Sequence, residues 1–317
     1  PAASVQELLD RYYRDQLNEQ EFTQLRHQIR QRLGNILKKL YQKAQDFRDR
    51  LQQSDLADDY REKADLLMAH LQEWTPGMKQ IVLADFATSE PVTIPLDPEK
   101  NAVQNAQSLY KRHQKLKRSR NALEPLLAEV QAEIDYLEQV DVAIAQLDHY
   151  RTPDDLASLT EIRDELIQQN YLEDPDHRYR SSSATQTTNF LRYRTPSGFE
   201  ILIGRNNRQN DQLTFRQAGD YDLWFHTQEI PGSHVLLRLE PGAVAEEADL
   251  QFTANLAAYY SRARQSEQVP VIYTEPKQVF KPKGAKPGMA IYKQERVIWG
   301  QPQQGRSIVE QMEGEEL

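Results

Sequence analysis

The scarcity of glycine and proline in the first part of the chain is the feature that most restricts its fold. Only two of the twelve glycines, Gly34 and Gly77, precede residue 198, and no proline lies between Pro1 and Pro76. Because these two residue types form turns and interrupt helices, the first part is predicted to be extended helix. The other ten glycines lie at or after residue 198, among β-branched and aromatic clusters. That composition indicates a turn-rich α+β region at the C-terminal end.

Apolar residues recur every seven positions in two stretches of the helical part. The first stripe consists of Phe22, Ile29, Leu33, Ile36, Leu40 and Phe47. The second consists of Leu109, Leu116, Leu123, Leu127, Val130, Ile134, Leu137 and Ile144. Two helices of about 50 residues, each roughly 75 Å long, fit an antiparallel coiled-coil hairpin. The alternative is a parallel homodimer through one stripe, which would leave the other stripe exposed.

A small insert is expected between the two long helices. Residues 58–74 have a helical pattern, residues 80–94 resemble a short hairpin, and Asp97 is a candidate cap for the second long helix. A further helix is predicted over residues 153–171, with Thr152 as its cap.

We therefore predict an α+β fold in four parts. They are a coiled-coil stalk over residues 1–172 with an α/β tip insert at about 58–98, a linker over 173–188, an α+β domain over 189–300 and an acidic tail over 301–317.

Composition excludes several classes of protein. The chain has no cysteine, which rules out disulfide scaffolds, thiolate zinc sites and cysteine nucleophiles. Its longest apolar run, Leu256–Tyr260, is far shorter than the roughly 20 residues of a membrane-spanning helix. With neither a recognisable signal peptide nor an initiating methionine, we expect a cytoplasmic fragment of a longer gene product that does not enter membranes.

Charge is distributed unevenly. The net charge is −9, yet residues 189–300 contain 14 Lys+Arg against 12 Asp+Glu, a net of +2. Contact of this region with a polyanion would therefore be local and sensitive to salt.

The α+β region contains a dense set of polar and aromatic residues. If residues 222–227 form a strand, Asp222, Trp224 and His226 project from one face. This row has three interpretations: a packed structural row, a metal site together with His234, and an RNA-facing surface on which an aromatic ring stacks against a base. Arg205, Asn206 and Asn207 precede it and are candidate contacts to phosphate or sugar. His234, which follows it, is a further candidate RNA contact.

A basic loop favours RNA over metal. Residues 277–289 contain four lysines with glycines and prolines, and such a loop can bind phosphate through point charges and free amides. Lys281, Lys283 and Lys286 are the candidate phosphate contacts, whereas Gly232, Gly284 and Gly288 are expected to hold turns. The alternative is a solvated basic hairpin.

No enzyme motif of high specificity is present, because the Walker loop, HExxH, GxSxG and GxGxxG patterns are all missing. We therefore expect a protein without catalytic residues and without a cofactor.

Several motifs in the same order resemble the NFACT family. The RNA-binding module of that family, NFACT-R, is similar to this chain in Gly204–Asn207 with Asn210–Asp211, Asp222-x-Trp224-x-His226-Thr227, Pro231–His234 and Lys281–Gly288. The middle coiled coil of the family resembles the stalk in Asp59–Leu67 and Ile94–Pro98. No segment resembles the N-terminal domain with which family members begin.

The resemblance implies a ribosome-associated quality control adaptor. Such a protein would bind the large ribosomal subunit, its rRNA and ribosomal proteins, while that subunit holds an obstructed peptidyl-tRNA. It would recruit alanyl-tRNA so that the ribosome adds an alanine tail to the stalled chain. The resemblance further implies that Asp222, Trp224 and His226 contact tRNA or rRNA.

Two other functions remain open. One is an extracellular fibronectin-binding adhesin, an older label for members of this family. The other is an enzyme that acts on nucleic acid around Asp222 and His226. The isolated stalk could also self-associate.

Overall fold

The computed structural model describes residues 4–173 and 189–315. Their helices are α1 (Val5–Ser54), α2 (Ala57–Ala69), α3 (Ala102–Gln146), α4 (Pro153–Gln168), α5 (Asn207–Gln212), α6 (Glu247–Tyr259) and α7 (Pro302–Glu315). Their strands are β1 (Gln80–Ala84), β2 (Pro91–Pro95), β3 (Leu191–Arg194), β4 (Glu200–Ile203), β5 (Leu223–Thr227), β6 (Val235–Leu237), β7 (Val269–Thr274), β8 (Val279–Phe280), β9 (Ile291–Tyr292) and β10 (Arg296–Gly300). The α+β fold class is confirmed. None of the described helices combines the length and apolar character needed to cross a bilayer.

The long helical hairpin is also confirmed, with α1 and α3 as its arms. All members of both heptad stripes are buried or partly buried, because the stripes form the seam of the coiled coil. Contacts show that the arms are antiparallel: Arg48 Nη2 lies 2.7 Å from Gln131 Oε1, and Arg120 Nη1 lies 3.0 Å from Asp55 Oδ1.

The chain divides into two compact units, Lys38–Ile134 and the remainder, Pro1–Leu37 with Asp135–Leu317. The first of these contains the expected insert, in which α2 and the β1–β2 hairpin enclose a small apolar core. Asn101, rather than Asp97, caps α3, since its Oδ1 accepts from the Gln104 N–H at 2.8 Å.

The other unit is built on a six-stranded antiparallel sheet in the order β10-β7-β5-β6-β4-β3. Helices α6 and α7 cover one face of this sheet, over a core that includes Phe225, Val235 and Val271. A second apolar cluster, with Trp224, Leu236 and Ile272, lies on the opposite face. Alternation along β5 therefore places Trp224 and Phe225 on opposite faces, as period-two patterning predicts.

Two segments differ from the predicted organisation. Residues 302–315 form α7 instead of a free acidic tail, because Ile308, Val309 and Met312 pack into the core beneath α6. Gly305 permits this approach, since a Cβ there would lie 2.3 Å from the Asn255 carbonyl oxygen. The predicted linker lies outside the described residues except for Glu173.

Helix α4 lies in the same compact unit as the α+β domain, and this unit also includes Pro1–Leu37 of the stalk. The last turns of α3 are also attached to that domain. Gln146 Nε2 donates to the Tyr260 carbonyl at 2.8 Å, and Arg262 pairs with Glu138 at 2.6 Å. These contacts join residues more than 100 positions apart, a relationship that heptad periodicity does not encode.

Candidate nucleic-acid interface

The motif that begins at Gly204 is hydrogen-bonded to one side of α4. Four polar residues of α4 receive it: Asp155, Glu161, Glu165 and Gln168. Asn206 Nδ2 donates to Glu161 Oε2 at 2.7 Å, and Arg208 Nη2 donates to Gln168 Oε1 at 2.9 Å. The spacing of Glu161, Glu165 and Gln168 places them on one helical face.

The side chains of Arg205 and Asn206 therefore form hydrogen bonds within the protein. The guanidinium of Arg205 donates to Asp155 Oδ1 at 3.3 Å, although its Nε is buried without a partner. The Oδ1 of Asn206 accepts from the Gln209 N–H at 2.9 Å and so caps α5. Sequence reasoning predicts that these side chains contact RNA, but in the structure their polar groups hold the domain against α4.

Asn207 belongs to a buried network around a carboxylate. Glu165 accepts the Tyr136 hydroxyl at 2.7 Å and Asn207 Nδ2 at 3.2 Å. Burial raises the pKa of Glu165, and the two hydrogen bonds act in the opposite direction. The pKa of Tyr136 is raised by burial and by the neighbouring Glu165 charge. Asn207 thus supports the internal packing and has no polar group directed at solvent.

Two residues of the predicted row on β5, Asp222 and Trp224, are buried, and His226 is partly buried. Trp224 is 1% exposed, and its indole N–H donates to Thr214 Oγ1 at 2.9 Å. The indole packs against His226 with ring centroids 5.7 Å apart and against His234 with centroids 5.0 Å apart. Stacking on a base requires a free ring face, and Trp224 has none in this structure. Of the interpretations left open for Trp224, the structure supports the packed core position.

The pKa values of the two histidines are lowered by their surroundings. Thr214 Oγ1 lies 2.7 Å from His234 Nδ1, and since an indole can only donate, this hydroxyl is free to donate onward to the ring. Burial lowers the pKa of His226 to about 4. Burial, followed by the nearby His226, lowers the pKa of His234 well below its usual value. Nε2 of His226 is buried without a partner.

Asp222 closes a turn instead of facing solvent. Its carboxylate accepts the Gly219 N–H at 2.8 Å and the Leu239 N–H at 3.0 Å. It also pairs with Arg238 at 3.1 Å. Among the described parts of the chain, no group of three His, Cys, Asp or Glu side chains could hold a metal ion.

Lys281 and Lys286 of the basic loop contact other side chains of the protein. Lys281 pairs with Asp211, whose other oxygen accepts the Gly288 N–H at 2.9 Å. Lys286 lies over the rings of Tyr136 and Tyr171, 4.5 and 4.6 Å from their centroids. Lys283 is exposed, so it remains available as a phosphate contact.

The three glycines have distinct roles in these contacts. Gly284 and Gly288 have φ values of 77° and 79°, a region that favours glycine. Gly232 lies so close to β-bridge partner Ser261 that an added Cβ would be 3.0 Å from the Ser261 Cβ.

Gly288→Ala is expected to destabilise the domain by about 2–4 kcal/mol, from backbone strain together with a clash. A Cβ at Gly288 would lie 2.6 Å from Asn207 Oδ1, whereas one at Gly284 meets nothing within 4 Å. Gly284→Ala is therefore the matched control, with strain alone. Urea unfolding of both variants measures the difference, and equal losses of stability would contradict the close approach.

Sequence reasoning missed an exposed tryptophan on the edge strand. Trp299 is 56% exposed and Val297 is 52% exposed on β10. In the sheet register Val297 lies opposite Ile272, which lies opposite His226, so this exposed surface continues the face on which Trp224 is buried. The only signal in the sequence was the alternation from Arg296 to Gly300. Trp299 offers the free indole that Trp224 does not.

Comparison with family models matches both parts of the chain. A model described as the NFACT N-terminal and middle domains matches residues 1–185. A model described as the NFACT protein RNA binding domain matches residues 189–293.

Curated relatives show the same similarity. The Rqc2 homolog RqcH of Bacillus subtilis is 34% identical over 301 residues, which is 94% of this chain and 51% of that protein. RqcH of Streptococcus pneumoniae is 34% identical over 302 residues, 94% of this chain and 52% of that protein. The chain thus spans about half the length of these relatives.

A solved structure is similar over nearly its whole length. It is the C-terminal part of the fibronectin/fibrinogen-binding protein from Streptococcus suis, with a TM-score of 0.65 and 31% identity. The match covers 90% of this chain and 98% of that one.

Proposed function

This chain belongs to the NFACT family, and we propose that it is part of a ribosome-associated quality control adaptor. In this proposal the protein binds the large ribosomal subunit that holds an obstructed peptidyl-tRNA. It recruits alanyl-tRNA, and the ribosome adds alanines to the C-terminus of the stalled chain. The adaptor itself performs no chemistry and acts in the cytoplasm.

The observation that carries the proposal is the similarity to RqcH over 94% of the chain. It extends through both the hairpin and the α+β domain, so both parts are expected to contribute. The match to an RNA-binding domain over residues 189–293 supports rRNA or tRNA as the ligand of the α+β domain.

We take Lys283, one of the lysines that the motifs favoured, and Trp299, which lies outside the motifs, as the candidate RNA contacts. Lys283 and Trp299 are exposed, and they provide a point charge and a stacking platform. The buried motif residues act indirectly, because they fix the sheet and the basic loop on α4.

Sedimentation with purified large subunits tests the proposal. We expect this chain to co-sediment with large subunits, and we expect tRNA in the P site to strengthen the association at physiological salt. A second readout is the addition of alanines to a stalled nascent chain. This assay uses a protein of the same length as the RqcH relatives. Failure of this chain to bind large subunits, with or without tRNA, would contradict the adaptor function for this half.

Lys283→Gln is expected to make the fall of log K with log salt less steep by about 0.7–0.9, which corresponds to the loss of one phosphate contact. Lys277→Gln is the control, because Lys277 is an exposed lysine of the same segment that pairs with Glu275. Fluorescence anisotropy with labelled RNA at several salt concentrations measures both slopes. If both variants retain the unaltered slope, the loop is a solvated hairpin.

A second function is favoured by the similarity to the Streptococcus suis protein, which is described as fibronectin/fibrinogen-binding. Under this alternative the chain would bind an immobilised matrix protein and would occur on the cell surface. Cell fractionation with immunoblotting distinguishes the two, since a mostly surface-bound pool would contradict the cytoplasmic adaptor.

A further inference from the structure

A groove of about 600 Å³ lies beside α1. Its α1 side includes Phe22, Arg26 and Arg30, and its other side includes Asp148 and Tyr150, which follow α3. Tyr150 is held against α1 by two contacts. Its ring centroid lies 6.0 Å from that of Phe22, and its hydroxyl accepts from Asn18 Nδ2 at 3.2 Å.

Two arginines line this groove without an anionic partner. Arg26 and Arg30 are one helical turn apart, so their side chains lie on the same face of α1. Nε of Arg26 is buried and lacks a hydrogen-bond partner. The described residues include no ion pair for either guanidinium. Burial and the adjacent Arg30 charge both lower the pKa of Arg26, as expected when like charges are brought together out of water.

The acidic residues of the groove do not neutralise this pair. Asp148 attracts Arg26 at longer range, but its Oδ1 is 2.7 Å from His149 Nδ1 and 3.5 Å from Arg151 Nη2. The single carboxylate of Asp148 is therefore shared among His149, Arg151 and Arg26. Glu19 also lines the groove, where it is exposed.

An unpaired pair of guanidiniums is suited to an oxyanion. Each guanidinium presents a planar fork of N–H donors that matches phosphate geometry. His27, which also lines the groove, adds an imidazole that can donate a hydrogen bond. A bound phosphate would satisfy the buried Arg26 Nε and remove the repulsion between Arg26 and Arg30.

We propose that this groove is a phosphate-binding site, in which Arg26 and Arg30 hold one phosphate group. The surrounding sequence favours the backbone of RNA as the source of that phosphate. From Phe22 to Gln45 the chain has six Lys+Arg and no Asp or Glu, so α1 is locally basic in an otherwise acidic half. The RNA source rests on the proposed function, whereas the phosphate site itself does not.

The test compares two double variants of the whole chain. Arg26→Gln with Arg30→Gln removes the groove pair. Arg32→Gln with Lys38→Gln is the matched control, since both residues are exposed on the same helix and lie outside the groove. Arg30→Gln alone serves if the double variant is poorly folded by circular dichroism, because Arg30 is exposed.

Inorganic phosphate is the first probe, measured by calorimetry against chloride at equal ionic strength. The unaltered chain and the control are expected to bind it, and the groove variant is expected to lose binding at least tenfold. Labelled single-stranded RNA is the second probe. Loss of this one phosphate contact should make its salt dependence less steep by about 0.7 in the groove variant, with a smaller change in the control.

The outcomes separate the possible sources of phosphate. Loss of both phosphate and RNA affinity in the groove variant supports an RNA phosphate. Loss of phosphate binding alone supports the site with free phosphate as its ligand. No phosphate binding by the unaltered chain, or equal effects of the two double variants, would overturn the site. An unaltered chain that binds phosphate but no RNA would contradict the proposed function and leave the groove intact.

Discussion

Trp224→Ala is expected to destabilise the α+β domain by about 3–5 kcal/mol, the range for removal of a large aromatic side chain from a core. The indole is almost fully buried between His226, His234 and Tyr292. Its removal also leaves Thr214 without the N–H that it accepts. Loss of RNA affinity in this variant would therefore follow from unfolding and not from a lost stacking contact.

Trp299→Ala is the matched variant, because it removes the same side chain from an exposed position. Its cost in stability should be below about 1 kcal/mol, and its cost in RNA binding about 1–3 kcal/mol if a base stacks on the indole. Urea unfolding and RNA titration of both variants distinguish the two roles. A folded Trp224→Ala protein with unchanged stability would contradict the core position, and unchanged RNA affinity of Trp299→Ala would remove it from the interface.

Acidification is expected to destabilise the same domain between about pH 6.5 and pH 4. The pKa of His226 is lowered to about 4 by burial, against about 6.5 in an unfolded chain. Between these values the unfolded state binds more protons, so stability falls as pH falls. His226 alone accounts for about 3 kcal/mol over this range, and His234 acts in the same direction because its pKa is also lowered.

Glu165 opposes this trend. Its pKa is raised by burial, so its contribution to stability is present at low pH and is lost as pH rises through the raised pKa. Glu165→Gln retains an oxygen for Tyr136 and Asn207 and removes that opposing contribution. Chemical unfolding between pH 4 and pH 7.5 should therefore show a steeper loss on acidification in this variant.

The control for the histidine effect is a variant that does not titrate. His226→Phe retains a ring against Trp224 and should flatten the dependence of unfolding free energy on pH. A dependence as steep as that of the unaltered chain would assign the acid sensitivity to other groups. Asp249, whose pKa is lowered by hydrogen bonds, contributes only below this window.

Local pattern was sufficient to predict the helices of the hairpin and the face alternation of one strand of the sheet, β5. The heptad periodicity predicts that Ile29, Leu33 and Val130 are buried, and all three are buried in the structure. Alternation along residues 222–227 correctly separated Trp224 from Phe225. It did not reveal that both faces of the sheet are covered, because the residues that cover Trp224 come from other segments.

The contacts of polar side chains were the hardest feature to predict, because their partners also come from distant segments of the chain. Asn206 and Glu161 are 45 positions apart, and Asn207 and Glu165 are 42 apart. An amide or guanidinium in a sequence has the same hydrogen-bonding groups whether its partner is RNA or a distant helix.

The sequence by itself determined the long helices with their apolar stripes and indicated the family, because periodicity, glycine placement and motif order are local properties of the chain. Only the tertiary structure decided which polar and aromatic groups face solvent. It buried Trp224 and left Trp299 exposed, and it paired Lys281 with Asp211. Exposure depends on what packs against a residue, and that partner is set by long-range contacts that short-range patterns do not specify.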